Sequence, residues 1–265
     1  MKIKQVLSAL ERFAPLPLQE SWDNAGLQLG LTEAEGSGAL LCLDVNEAII
    51  DEAISKGCNL IVSHHPLLFR GLKQISGADY VQRCVIKAIK HDIVIVSMHT
   101  NMDNALGGVN FKIAERLGAT VLNGSAATVF SGSAAEMEKT PFVLAELPTP
   151  MEARAFVELV KARFGVQCAQ CNALLERPVK KVAICGGAGD FLLPDAIVQG
   201  ADAFITGEMH YHQYFGYEQQ IQICVIGHYQ SEQFTSEIFR DIIQKECPGV
   251  RTEIAETNTN PIVYF

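Results

Sequence analysis

Apolar residues first recur at Ile3, Val6, Leu7, Leu10 and Phe13, the spacing of one helical face. Pro15 and Pro17 end that helix. Ser21-Trp22-Asp23-Asn24-Ala25-Gly26 reads as a turn in which Asp and Asn cap locally. The pattern then changes to short, unbroken apolar runs at 39–45, 60–62 and 93–96, each of strand length. Between the first two, Asn46 caps a helix through Ile49, Ile50, Ala53 and Ile54, which Gly57 ends. A second helix covers roughly 79–91, and 103–117 opens in a loop and closes in a helix stopped by Gly118. Apolar, β-branched strands alternating with helices predict an α/β fold with a largely parallel sheet.

The second half repeats the theme. Strands are expected at 142–147, 179–185, 203–205, 221–226 and 251–255, and helices at 151–164, 193–199 and 232–244. The stretch 123–140 is small and polar, as at a domain boundary. The run 40–65 also echoes 183–208: strand, helix, glycine, strand, polar residues. Val96-Ser97-Met98-His99 echoes Val225-Ile226-Gly227-His228 in the same way. Two similar α/β lobes facing each other would account for the echo, and so would chance similarity between two strand-helix-strand units.

Composition narrows the function. Hydrophobic residues make up 48%, so the chain as a whole is not disordered. With 21 Lys+Arg against 30 Asp+Glu the formal charge is −9, which argues against a broad basic nucleic-acid surface. There is no membrane-length apolar run. Met1-Lys2-Ile3-Lys4 leads into an amphipathic segment rather than a signal core, so a cytoplasmic protein is expected. Eight cysteines are too sparse for a disulfide scaffold, and Cys168-Ala-Gln-Cys171, with no second pair, reads as structural.

Histidine carries the chemical signal. Six of the seven fall in or just after predicted strand ends, where open α/β sheets place their ligand sites. His64-His65 follows a strand directly, and each of His99 and His228 precedes an acid by four residues, Asp103 and Glu232. Imidazole and carboxylate without thiolate suit Zn, Mn, Fe, Co or Ni. His91 reads as an ordinary surface residue, His210 and His212 as structural or ligating, and Asp44 as the cap of the following helix. Gly186-Gly187-Ala188-Gly189 matches no nucleotide fingerprint and reads as a tight backbone turn.

These residues carry a family resemblance. The stretch from Ser21 to Gly30, Ser63-His64-His65-Pro66, His99-Thr100-Asn101-Met102-Asp103, Ile205-Thr206-Gly207-Glu208 and Gly227-His228-Tyr229-Gln230-Ser231-Glu232 resemble the NGG-interacting factor three-like family. That is the hexameric dinuclear-metal-centre family, whose members are often called GTP cyclohydrolase I type 2 homologs. The resemblance spans nearly the whole chain, at the length of the short bacterial form. It implies two α/β lobes with mixed, largely parallel sheets flanked by helices, facing each other across a metal site. The first lobe would take 1–122 with 222–265, and the second 123–221. It further implies a homohexameric toroid and metal ligands at His64, His65, Asp103, His228 and Glu232, with His99 in the same cluster. A Glu232 carboxylate shared by two divalent ions fits two-metal hydrolysis through a metal-bound hydroxide. The expected function is a metal-dependent hydrolase acting on GTP, another nucleotide, or a phosphoester or amide small molecule. Glu232 would then be the catalytic residue. A non-catalytic metal-delivery or regulatory protein uses the same ligands.

Overall fold

Strands covered on both faces have no polar side to show, which is why their sequences run apolar without alternation. In the computed structural model, which describes residues 1–122 and 141–264, β2 (Ala39–Cys42), β3 (Leu60–Ser63) and β4 (Val94–Ser97) are buried at every position. They pair in parallel in the order β4-β3-β2. β11 (Thr252–Ile254) extends the sheet in parallel beside β2, and β1 (Gly26–Leu29) closes the other edge antiparallel to β4. The boundary stretch 123–140 lies outside the described residues.

A second sheet has the order β5 (Thr120–Val121), β6 (Val143–Met151), β8 (Val179–Cys185), β9 (Ala203–Thr206), β10 (Gln222–Val225), β7 (Gln170–Cys171). Only β8-β9-β10 is parallel; β5-β6, β6-β8 and β10-β7 are antiparallel. The fold is therefore mixed α/β with two mixed sheets flanked by helices. Both sheets contain three parallel strands in chain order, β2-β3-β4 and β8-β9-β10, where the sequence echo lies.

Contacts divide the chain into two compact units, Met1–Ala105 with Thr235–Pro261, and Leu106–Phe234 with Ile262–Phe265. β10, expected in the first lobe, instead pairs with β9 and β7 in the second sheet. A strand reached by one crossover from its predecessor normally lies beside it.

Each sheet's core is built by its own helices. In the first unit, Ile49, Ile50 and Ala53 of α2 (Glu47–Ser55) join Cys84, Val85 and Ala88 of α3 (Tyr80–Lys90) over Leu40, Ile61 and Ile95. In the second, Leu193 and Ala196 of α7 (Leu193–Val198) join Ala183, Phe204 and Ile223. Caps follow the sequence closely: Asn46 Oδ1 accepts from Ile49 N at 3.0 Å, and Asp79 accepts from Gln82 N. Gly118 ends α5 (Val109–Leu117) at φ 75°, a conformation that favours glycine. No helix among the described residues is long and apolar enough to cross a membrane.

The Asn46 cap has a measurable value. Asn46→Ala should cost about 1 kcal/mol of stability, read as a lower urea midpoint with an unchanged slope.

Candidate metal centre

In the first unit the site grows from the ends of β3 and β4. Ser63 and Ser97, partners in register, hydrogen-bond through their hydroxyls at 2.7 Å, and the His65 carbonyl, 2.9 and 3.2 Å from the two oxygens, accepts the proton that remains. The backbone N–H groups of His64 and His65 bond the Leu43 carbonyl after β2. The two histidines therefore leave the sheet on a pinned turn. His64 is fully buried. His99 follows β4 and begins α4 (Thr100–Asn104), which carries Asp103. Asn101 and Asn104 anchor that helix by donating to the carbonyls of Ala14 and Leu18. The rings of His64, His65 and His99 lie 4.9–5.3 Å apart between centroids, and their ligand atoms fall within 4.8 Å of one another.

Each ring is held from behind. His64 Nδ1 donates to the Met98 carbonyl at 2.8 Å, His65 Nδ1 to Asp44 at 2.7 Å, and His99 Nδ1 to Asp23 at 2.7 Å. An oxygen acceptor fixes the proton on Nδ1 and leaves Nε2 of the neutral ring as the electron-pair donor. Nε2 of His64 stands 3.6 Å from Asp103 Oδ1.

Burial pushes the Asp23 carboxyl up, but the His99 hydrogen bond and charge outweigh it, and Thr100 adds to them. The result is about 2 against the usual 3.8. Asp44 is also lowered: burial opposes, while His65 and then Thr259 bind its two oxygens. Asp44 is thus a ring holder, and Asn46 is the cap.

The second unit carries its own pair. Its short helix α8 (His228–Glu232) starts after Gly227, at φ 95°. His228 Nδ1 faces Glu208 at 3.0 Å, and Nε2 faces Glu232 Oε2 at 3.1 Å. Glu232 is almost fully buried. It had been expected to open the long helix; instead it ends α8, and α9 (Thr235–Glu246) begins separately. The helix dipole therefore gives its charge no support.

The glycine turn after β8 makes room for it. A Cβ on Gly187 would sit 2.4 Å from Glu232 Oε1, at a backbone φ of 61°. Gly207 is equally confined, by the Gly187 carbonyl, Ser231 Oγ and the His228 backbone.

This donor chemistry fits divalent ions. A neutral ring presenting Nε2 to a carboxylate oxygen needs a cation between the two, a proton or a metal. Imidazole nitrogens and carboxylate oxygens suit the same first-row ions expected above. His210 lies elsewhere, almost fully exposed and bound to Asp190; His212 is exposed beside Tyr211 and Phe215, and His91 ends α3.

Residues 1–261 match the family model described as Duf34/NIF3 (NGG1p interacting factor 3). The chain belongs to the Duf34/NIF3 family. The GTP cyclohydrolase 1 type 2 homolog of Clostridium perfringens is 35% identical over 233 residues, covering 88% of this chain and 87% of that protein. The Campylobacter jejuni protein of the same name is 30% identical over 267 residues and covers 100% of both. The crystal structure of Staphylococcus aureus protein SA1388 matches with a TM-score of 0.89 at 27% identity, over 100% of this chain and 99% of that one.

Within this Duf34/NIF3 fold, three carboxylates that sequence alone does not mark as ring holders do that work: Asp23, Asp44 and Glu208. Asp23 and Glu208 stood inside the family-like motifs, which was the available signal. Asp44 had only its strand-end position.

Asp23→Asn separates charge from shape. Because the folded carboxyl lies below its ordinary value, its stabilising effect is complete above that value and fades as pH falls through about 2. The variant should lose roughly 2 kcal/mol near neutrality, the scale of hydrogen bonds to a charged acceptor, since Asp23 accepts from His99 Nδ1, Thr100 N and Thr100 Oγ1. That deficit should shrink in denaturant titrations as the pH falls from 3.8 toward about 2.

Proposed function

We propose that this Duf34/NIF3 chain is a dinuclear divalent-metal protein and a metal-dependent hydrolase of planar, nucleotide-like small molecules, working in the cytoplasm as a homohexamer. The observation that carries the metal reading is the uniform anchoring of Nδ1 on His64, His65, His99 and His228. His64, His65, Asp103, His228 and Glu232 would hold the ions, as the family resemblance implies. Ions held there would supply Lewis acidity and acidify water for attack on a phosphoryl, acyl or ring carbon.

The chain's own groups supply the rest. Glu232, buried and 3.1 Å from His228 Nε2, would accept a proton at an oxygen left free by the ions. Asp23, Asp44 and Glu208 hold the rings in one tautomer. Trp22 and Phe69, 59% and 48% exposed, stand within 6.2 Å of the His99 ring, centroid to centroid. Their exposed faces suit a flat ring presented to the histidine cluster. The relatives' name, GTP cyclohydrolase 1 type 2 homolog, agrees with a nucleotide-like substrate. Exposed Tyr211 and Phe215, rings 5.4 Å apart, favour self-association, and a cysteine content too sparse for a disulfide scaffold suits a reducing compartment.

Untagged protein prepared without chelator should carry about two divalent ions per chain by elemental mass spectrometry, as a two-metal site requires. Glu232→Gln should lower that content and abolish turnover in a nucleotide, phosphoester and amide screen. Metal without any turnover in the wild-type protein would make it a metal carrier or regulator instead.

Trp22→Ala tests the substrate class. It should raise KM for a planar substrate by roughly tenfold, the scale of one lost stacking contact, with metal content unchanged.

A further inference from the structure

One group of reactive side chains lies outside the metal-ligand sets. β7 is an edge strand of two residues, and among the described residues it pairs with β10 alone. In that antiparallel pair Cys171 lies directly opposite Cys224. Opposed residues of an antiparallel ladder have Cα atoms about 4.5 or 5.5 Å apart, inside the range a disulfide bridges.

The register is fixed from the side. Asn172 Oδ1 accepts from Ile223 N and Gln222 Nε2, its Nδ2 donates to the Ile221 carbonyl, and Gln222 Oε1 holds Leu175 N. Contact between the two thiols lowers Cys171 against its burial and, together with burial, raises Cys224, so Cys171 is the more readily ionised of the pair. Cys171 is half-buried and Cys224 fully buried, while Cys168, three residues upstream, is exposed. This is the arrangement of an attacking thiol with a resolving thiol behind it.

We propose that Cys171 and Cys224 form a reversible cross-strand disulfide, a thiol-oxidation site that staples β7 to the sheet when the cell's low-molecular-weight disulfide pool becomes oxidised. Cys171 thiolate attacks one sulfur of the small disulfide, forming a mixed disulfide and releasing one small thiolate. Cys224 sulfur, giving up its proton, then attacks Cys171 sulfur. The protein disulfide forms and the second small thiolate leaves. The two protons of the protein thiols end on the two released thiols. The protein pair is oxidised by two electrons, and the small disulfide is reduced by two.

The test treats the full chain with excess oxidised glutathione, then alkylates it and maps its peptides by mass. Titratable thiols should fall from eight to six per chain, with Cys171 and Cys224 in one cross-linked peptide that dithiothreitol releases. Cys168→Ser should leave that cross-link intact. Cys224→Ser should trap glutathione on Cys171 as the mixed disulfide. If eight thiols persist, if the bridge is Cys168–Cys171, or if the Cys224→Ser chain, folded by circular dichroism, takes up no glutathione, the proposal is wrong. The wild-type map decides the matter even where a variant does not fold.

Discussion

A histidine has two ring nitrogens and can give a metal only one. What the other nitrogen touches decides which, and in His64, His65, His99 and His228 it touches oxygen. The Met98 carbonyl and the carboxylates of Asp44, Asp23 and Glu208 each take one Nδ1. A carbonyl is neutral and a carboxylate is charged, so the four anchors differ in charge while the rings share one tautomer. Much of the surrounding structure serves these four bonds. The turn after β3 holds the His64 and His65 backbones, the amides of Asn101 and Asn104 hold α4, and Thr259 occupies the second oxygen of Asp44.

Strand ends are the natural place for such a cluster. Parallel strands finish side by side, and the residues just past them converge without disturbing the ladder. The Ser63–Ser97 contact shows how this is done cheaply: two short hydroxyls at matched register tie two turns to one carbonyl. The second unit uses the opposite device. There it is the lack of a side chain at Gly187 and Gly207 that lets Glu232 and the start of α8 approach the backbone.

Much of this was legible in the sequence. Buried strands left unbroken apolar runs, Asn46 and Gly118 marked helix ends, and His64, His65 and His99 stood at strand ends as sequence alone suggests. The losses have physical causes. β1, β5 and β7 are edge strands of two to four residues, too short for a period to show. β10 pairs by crossover topology, which local pattern does not carry. Asp23, Asp44 and Glu208 resemble turn and cap carboxylates, because capping and ring-holding draw on the same oxygen chemistry. Only the partner distinguishes them, and for Asp23 that partner lies 76 residues away.

The three clustered rings of the first unit also differ in depth. His64 is wholly enclosed, while His65 and His99 keep part of their surface toward solvent. An ion held among these rings would meet them unequally: His65 and His99 would be the first contacts that water or a chelator reaches, and His64 the last. Loss of such an ion would run from the outside inward, a matter of order in time as much as of affinity.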